Sequence, residues 1–161
     1  MLRLAPALTR SALGNARAAC AALGLAREDR ASVAGGLRVL DEDECLALLA
    51  RRTVGRLAYV ARAGVPDVTP VNYLLDGRDV LVRSAPGPKL QAAERGDVVA
   101  FEVDDLDEDA QAGWSVVLVG RARRLSAAEA ARTPAPVPWS DGVRRHVVRI
   151  SPTRITGRAL A

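Results

Sequence analysis

The stretch "DVTPVNYLLDGRDVLVRSAPGPKLQAAERG", residues 67 to 96, decides the fold. Two apolar runs flank Asp76-Gly77, a dipeptide that supplies the positive φ of a tight hairpin turn. Antiparallel pairing follows, because a two-residue connection cannot carry a strand back in parallel. The second run ends in Arg83-Ser84, breaks into a Pro/Gly loop and restarts with Lys89 at the head of a helical stretch that Gly96 stops.

Working outward, strand follows strand. Upstream, "LDEDECLALLARR" (40–52) has Asp41 as N-cap, Glu44 three residues on, a Leu40–Cys45 staple, and Cys45, Leu48 and Leu49 on one face of a short helix. "VGRLAYVARAG" (54–64) then reads as a strand. Downstream come "DVVAFEVDD" (97–105), an acidic loop within "DDLDED" (104–109), and the long strand "GWSVVLVGRARRL" (113–125). "SAAEAAR" (126–132) predicts a short helix, "TPAPVPW" (133–139) a Pro-rich connection, and "HVVRISPTRITGR" (146–158) two short strands or one bent strand. Short strands with small helices between them predict a mainly β fold, an antiparallel sheet curled into a barrel, and argue against a Rossmann domain. "SVAGG" (32–36) reads as a linker, so the expected division is an Arg/Ala-rich extension over 1–36 and one domain over 37–161.

Composition bounds the partners. The 161-residue chain, 49% hydrophobic, suits one domain with a real core. Its net charge of +4 comes from Arg3, Arg10, Arg17 and Arg27, which precede the first acidic residue; without them the remainder is formally neutral. With aromatics at 3%, a nucleic-acid surface is not expected. Cys20 and Cys45 lack metal spacing and read as free thiols of a reducing cytoplasm. With His146 as the single histidine, zinc and Ser-His-Asp chemistry are not expected. No apolar run reaches the length of about 20 residues that spans a bilayer. Arg3, Arg10 and Arg17 would stripe a helix suited to targeting, a membrane surface or a docking partner; an unpacked extension explains them equally.

Two polar groups of residues invite a ligand. Arg83, Ser84 and Lys89 surround a loop of turn-forming residues, and a lysine in a first helical turn opposes the helix dipole. A phosphate would explain it; so would an ordinary surface loop with a solvated lysine. Asn72 follows Pro70, which cannot donate to a sheet ladder, so the strand is expected to be at an edge or bulged there. Freed backbone groups beside a polar side chain suit a flat heterocycle such as flavin, and edge irregularity also accounts for them. Arg56 reads as outward-facing, and Trp114 and Trp139 as core. "RARR" and "RRHVVR" read as solvated strand residues, or as extra grip on an anionic cofactor tail.

In order, "VGRLAYV", "DVTPVNYLLDG", "DVLVRSAPGPKL", "VAFEVDD", "GWSVVLVGRA" and "HVVRISPTRITGR" resemble the pyridoxamine 5'-phosphate oxidase-like flavoproteins, in the short branch related to nitroimidazole-resistance proteins. The resemblance covers roughly residues 37–158. It implies a six-stranded antiparallel split barrel, a homodimer, and FMN or the deazaflavin coenzyme F-420 at the subunit interface. It implies phosphate contacts at Arg83, Ser84 and Lys89, ring contacts at Thr69, Val71 and Asn72, and Trp114 and Ser115 on a strand supplied by the partner subunit. The basic C-terminal substrate signature of the vitamin B6 oxidases is not found, and Arg83 stands where nitroimidazole-resistance proteins typically carry histidine. Neither activity is expected. The expectation is a cytoplasmic flavin-dependent oxidoreductase acting on a small molecule, with a non-catalytic flavin, deazaflavin or haem carrier as the alternative.

Overall fold

The structure, a computed structural model, describes residues 32–33, 36–139 and 143–160. The Arg-striped segment and Cys20 lie outside the described residues. Along the chain come β1 (Ser32–Val33), β2 (Leu37–Leu40), α1 (Glu42–Leu49), β3 (Val54–Val60), a 3-10 turn (Arg62–Gly64), β4 (Pro66–Asp76) and β5 (Asp79–Ser84). They are followed by α2 (Pro88–Arg95), β6 (Val98–Asp107), β7 (Ala112–Arg124), α3 (Ala127–Ala130) and β8 (His146–Leu160).

The order β8-β5-β4-β3-β6-β7 closes on itself through β7–β8 pairing, giving the expected six-stranded antiparallel barrel. β2 joins β8 outside this ring, and β1 pairs with β2, so part of the expected linker is a strand. The C-terminal segment is one bent strand. β8 lies along β7 on one edge, while its other edge serves β5 first and β2 last. The bend sits at a bulge: Gly120 faces Pro152 and Val119 faces Arg154, leaving Thr153 extra, its hydroxyl donating to the Val119 carbonyl at 3.1 Å. A bulge is where a ladder tolerates a proline.

Period-two alternation fills the barrel. Val71 and Tyr73 of β4, Val80 and Val82 of β5, and Phe101 and Val103 of β6 point inward and are buried. Each such side chain contributes about 1.5–3 kcal/mol of burial. Tyr73 and Phe101 meet edge to face at 4.9 Å, and Gly55 leaves the room that the Phe101 ring occupies. The N-terminus of α1 has the predicted box, Glu44 N–H to Asp41 Oδ1 and Asp41 N–H to Glu44 Oε2, both 2.9 Å. Cys45, Leu48 and Leu49 are its buried face, as expected. The Cys45 thiol packs against Gly157, and burial pushes its pKa up to about 11.

The acidic run departs from expectation. Asp104 to Asp107 continue the β6–β7 ladder as far as Asp107 opposite Ala112. Their charge is tolerated there because Asp104 pairs with Arg56 at 2.8 Å and Asp105 pairs with Arg52. Arg56 is exposed, on the outward face where alternation put it.

Candidate functional site

The barrel is open between β4 and β5. Their pairing runs from Asp76–Asp79 to Tyr73–Val82 and stops, so the strands part at Asn72 and Arg83. Beyond that point β4 is paired on its β3 side, and Pro70 falls in this singly paired half. The expected edge is thus half of one barrel strand.

The Pro-rich connection occupies the opening. The Trp139 N–H donates to Asn72 Oδ1 at 2.9 Å, and Arg83 donates from Nε to the Pro136 carbonyl at 3.1 Å and from Nη1 to the Arg144 carbonyl at 3.4 Å. Ala135 packs beside Leu81, Leu125 and Val147 in a second, smaller core. Trp139 does not close a core: it is 76% exposed, because the strap is fixed through its backbone and leaves the indole outside.

Beside the strap lies the loop into α2. Ser84, 1% exposed, shares the inward face of β5 with Val80 and Val82, and its hydroxyl donates to the Ala85 carbonyl at 2.8 Å. Gly87, at φ 152°, precedes α2 without a side-chain cap, and Pro88 takes the first turn. Lys89 is half-buried, and no hydrogen bond or ion pair to a described residue engages its ammonium. Burial first, then the charge of Arg144, lowers its pKa, while Asp67 opposes them. Among the described residues this half-buried ammonium has no hydrogen-bond or ion-pair partner.

α2 is held over the β3–β4 end by Arg95 Nη2 to the Val60 carbonyl at 3.1 Å and Arg62 Nε to Gln91 Oε1 at 3.3 Å. Below it, Tyr59 donates to Asp67 Oδ2 at 2.8 Å and lies 3.2 Å from Thr69 Oγ1. Burial is the main cause that raises the Tyr59 pKa. Thr69 thus reaches the same end of the barrel as Lys89, whereas Val71 is core. Sequence reasoning missed Tyr59 and Asp67. Tyr59 carried a signal, a polar-tipped aromatic on the inward phase of β3, whereas Arg144 belongs to the basic cluster "RRHVVR" already singled out.

Trp114 and Ser115 stand apart. They line a cleft of about 440 Å³ with Leu37, Leu106, Arg158 and Leu160. Trp114 is 2% exposed, and its buried indole N–H has no partner among the described residues. Ser84 faces His146, which opens β8, while Trp114 faces Ala159, its penultimate residue. One chain therefore holds two features at opposite ends of β8, the loop into α2 and an apolar cleft.

The family described as pyridoxamine 5'-phosphate oxidase matches residues 41–159, from the cap of α1 to the end of β8. The chain belongs to the pyridoxamine 5'-phosphate oxidase family. Among its relatives in the family's sequence neighbourhood, the uncharacterized protein Rv0080 of Mycobacterium tuberculosis is 41% identical over 126 residues, 73% of this chain and 82% of that protein. A FAD-binding protein of Mycobacterium smegmatis is similar in structure, with a TM-score of 0.59 and 32% identity over 78% of this chain and 99% of that one. A FAD-binding protein of Mesorhizobium loti gives a TM-score of 0.63 and 26% identity over 78% and 97%. Membership covers the barrel, the loop into α2 and the strap.

Proposed function

We propose that this protein binds a phosphate-bearing flavin, FMN or a deazaflavin, and passes hydride or electrons between it and a small organic molecule. The observation that carries this reading is Lys89, a half-buried cation without a described partner, beside a glycine loop and a buried serine. The donor set suits a phosphate: an ammonium, the Ser84 hydroxyl and uncapped backbone N–H groups of α2. Relatives described as FAD-binding support a flavin, and the phosphate nearest the ring is common to FMN and FAD.

The flavin supplies the redox chemistry when bound. This chain's residues anchor and orient it. Thr69, Val71 and Asn72 line the strand along which the ring would lie. Trp114 and Ser115 are too far along β8 to serve the same ring from the same chain, so the site is completed by a second copy in a homodimer.

An absorbance titration of the full chain with FMN, for wild type and Lys89→Ala, tests the reading. Loss of one charged hydrogen bond, about 1.5–3 kcal/mol, predicts a Kd raised about tenfold or more. Equal affinity in both proteins overturns the phosphate loop. A second reading, a flavin carrier without catalysis, is favoured by relatives described as binding proteins. Consumption of a reduced nicotinamide by the loaded protein supports the oxidoreductase, and a bound but redox-silent flavin supports the carrier.

A further inference from the structure

We infer that Trp139 is the stacking residue of the proposed flavin site, its indole taking one face of the ring. The inference rests on the flavin reading and deepens it.

The chain has one Phe, two Tyr and two Trp. Phe101, Tyr73, Trp114 and Tyr59 are all buried, whereas Trp139 is 76% exposed. The strap is able to bury apolar groups: Ala135 joins the second core, and Pro136 is buried. Trp139 is outside for another reason. Its own backbone N–H is tied to Asn72, and on either side of it Arg83 holds the strap through the Pro136 and Arg144 carbonyls. A large aromatic side chain on a fixed backbone is binding surface prepared in advance, so that little further chain ordering is needed when a ligand arrives.

The anchor decides the ligand class. Asn72 is where β4 parts from β5, on the strand along which the ring would lie. The Trp139 N–H can donate only to the amide oxygen, so Oδ1 is spent and Nδ2 is left to donate. No bond joins that Nδ2 to a described residue. An indole and an amide donor one hydrogen bond apart suit a flat heterocycle, apolar on its faces and carrying carbonyl acceptors on its rim. Indole is electron-rich and isoalloxazine electron-poor, which favours an offset stack. An aliphatic side chain or a lipid would use the indole and leave the donor idle.

Titration of the full chain with FMN, reading Kd from absorbance and the emission of the bound flavin, tests this in wild type, Trp139→Phe and Trp139→Leu. The replaced side chain is exposed, so both variants are expected to keep the wild-type denaturation midpoint. An indole stacked on a flavin quenches its emission by electron transfer, which neither Phe nor Leu does. Bound FMN is therefore expected to be dark in wild type and bright in both variants. Kd is expected to rise about fivefold or more in Trp139→Leu and to stay within about threefold in Trp139→Phe, which retains a ring face. Emission and Kd unchanged in both variants, while Lys89→Ala weakens binding, overturn the stacking and leave the flavin reading standing. A higher Kd with bound FMN still dark would assign the indole to strap packing, and weaker subunit association with unchanged emission would assign it to a subunit contact; either result overturns the inference. A wild type that binds no FMN overturns the flavin reading and this inference together.

Discussion

At the scale of single residues, Lys89 is a cation held against stability. Its folded pKa lies below the ordinary 10.5, so the folded state penalises the ammonium. The penalty is fully present below the folded pKa and is relieved as pH rises from that value through 10.5, because in this window the unfolded chain binds the proton that the folded chain has lost. Lys89→Met should therefore unfold at a higher denaturant concentration than wild type at neutral pH, with the gap narrowing towards pH 10.5. A gap that stays constant with pH, or a less stable variant, would show that the ammonium is not strained. The same variant should bind FMN more weakly, so stability and affinity move in opposite directions.

At the scale of elements, β8 depends on one glycine. A Cβ at Gly120 would lie 2.2 Å from the Ser151 carbonyl oxygen and 2.8 Å from the Pro152 Cα, and these are backbone atoms of the paired strand. Gly120→Ala should cost about 1–3 kcal/mol through overpacking at the bulge, read as a lower denaturation midpoint with an unchanged slope. Gly77, at φ 62° in the turn between β4 and β5, has open space around it. There an alanine meets backbone strain and no clash. The bulge was half legible: Pro152 forbade a regular ladder, but which residue of β7 it would face depended on register across the barrel.

At the scale of the whole molecule, the loop into α2 and the cleft make a prediction about assembly. Lys89→Ala damages the loop, and Ser115→Glu places a carboxylate in the distant cleft. On the proposed homodimer, each variant alone should bind FMN poorly. A refolded mixture of the two should recover binding in the hybrid dimers, where one of the two sites is built from both undamaged halves. Calorimetric titration of the mixture reads the recovered stoichiometry, and absence of recovery would mean that the halves do not meet across subunits. Among the described residues no helix is long and apolar enough to cross a membrane, and this statement does not extend to strands.

Local chemistry made much of this protein legible in the chain. The Asp76-Gly77 turn, the Asp41 cap, the Gly96 stop and the strand alternation depend on neighbours within a few residues, and so the hairpin, the helices and the inward faces follow from sequence. Lys89 was legible for the same reason, as a cation in the wrong turn of a helix. Three things were decided by tertiary structure. Arg83 reads as a ligand beside Ser84, yet the two side chains leave opposite faces of β5, and the strap that captures Arg83 arrives from more than 50 residues away. Trp139 reads as core, yet its place is set by a backbone bond to Asn72 that leaves the indole in solvent. Trp114 and Lys89 lie far apart within one chain, because closure of the barrel through β8 sets them at opposite ends of a strand. Contacts between distant segments are fixed by how the whole sheet closes, and that depends on every strand at once.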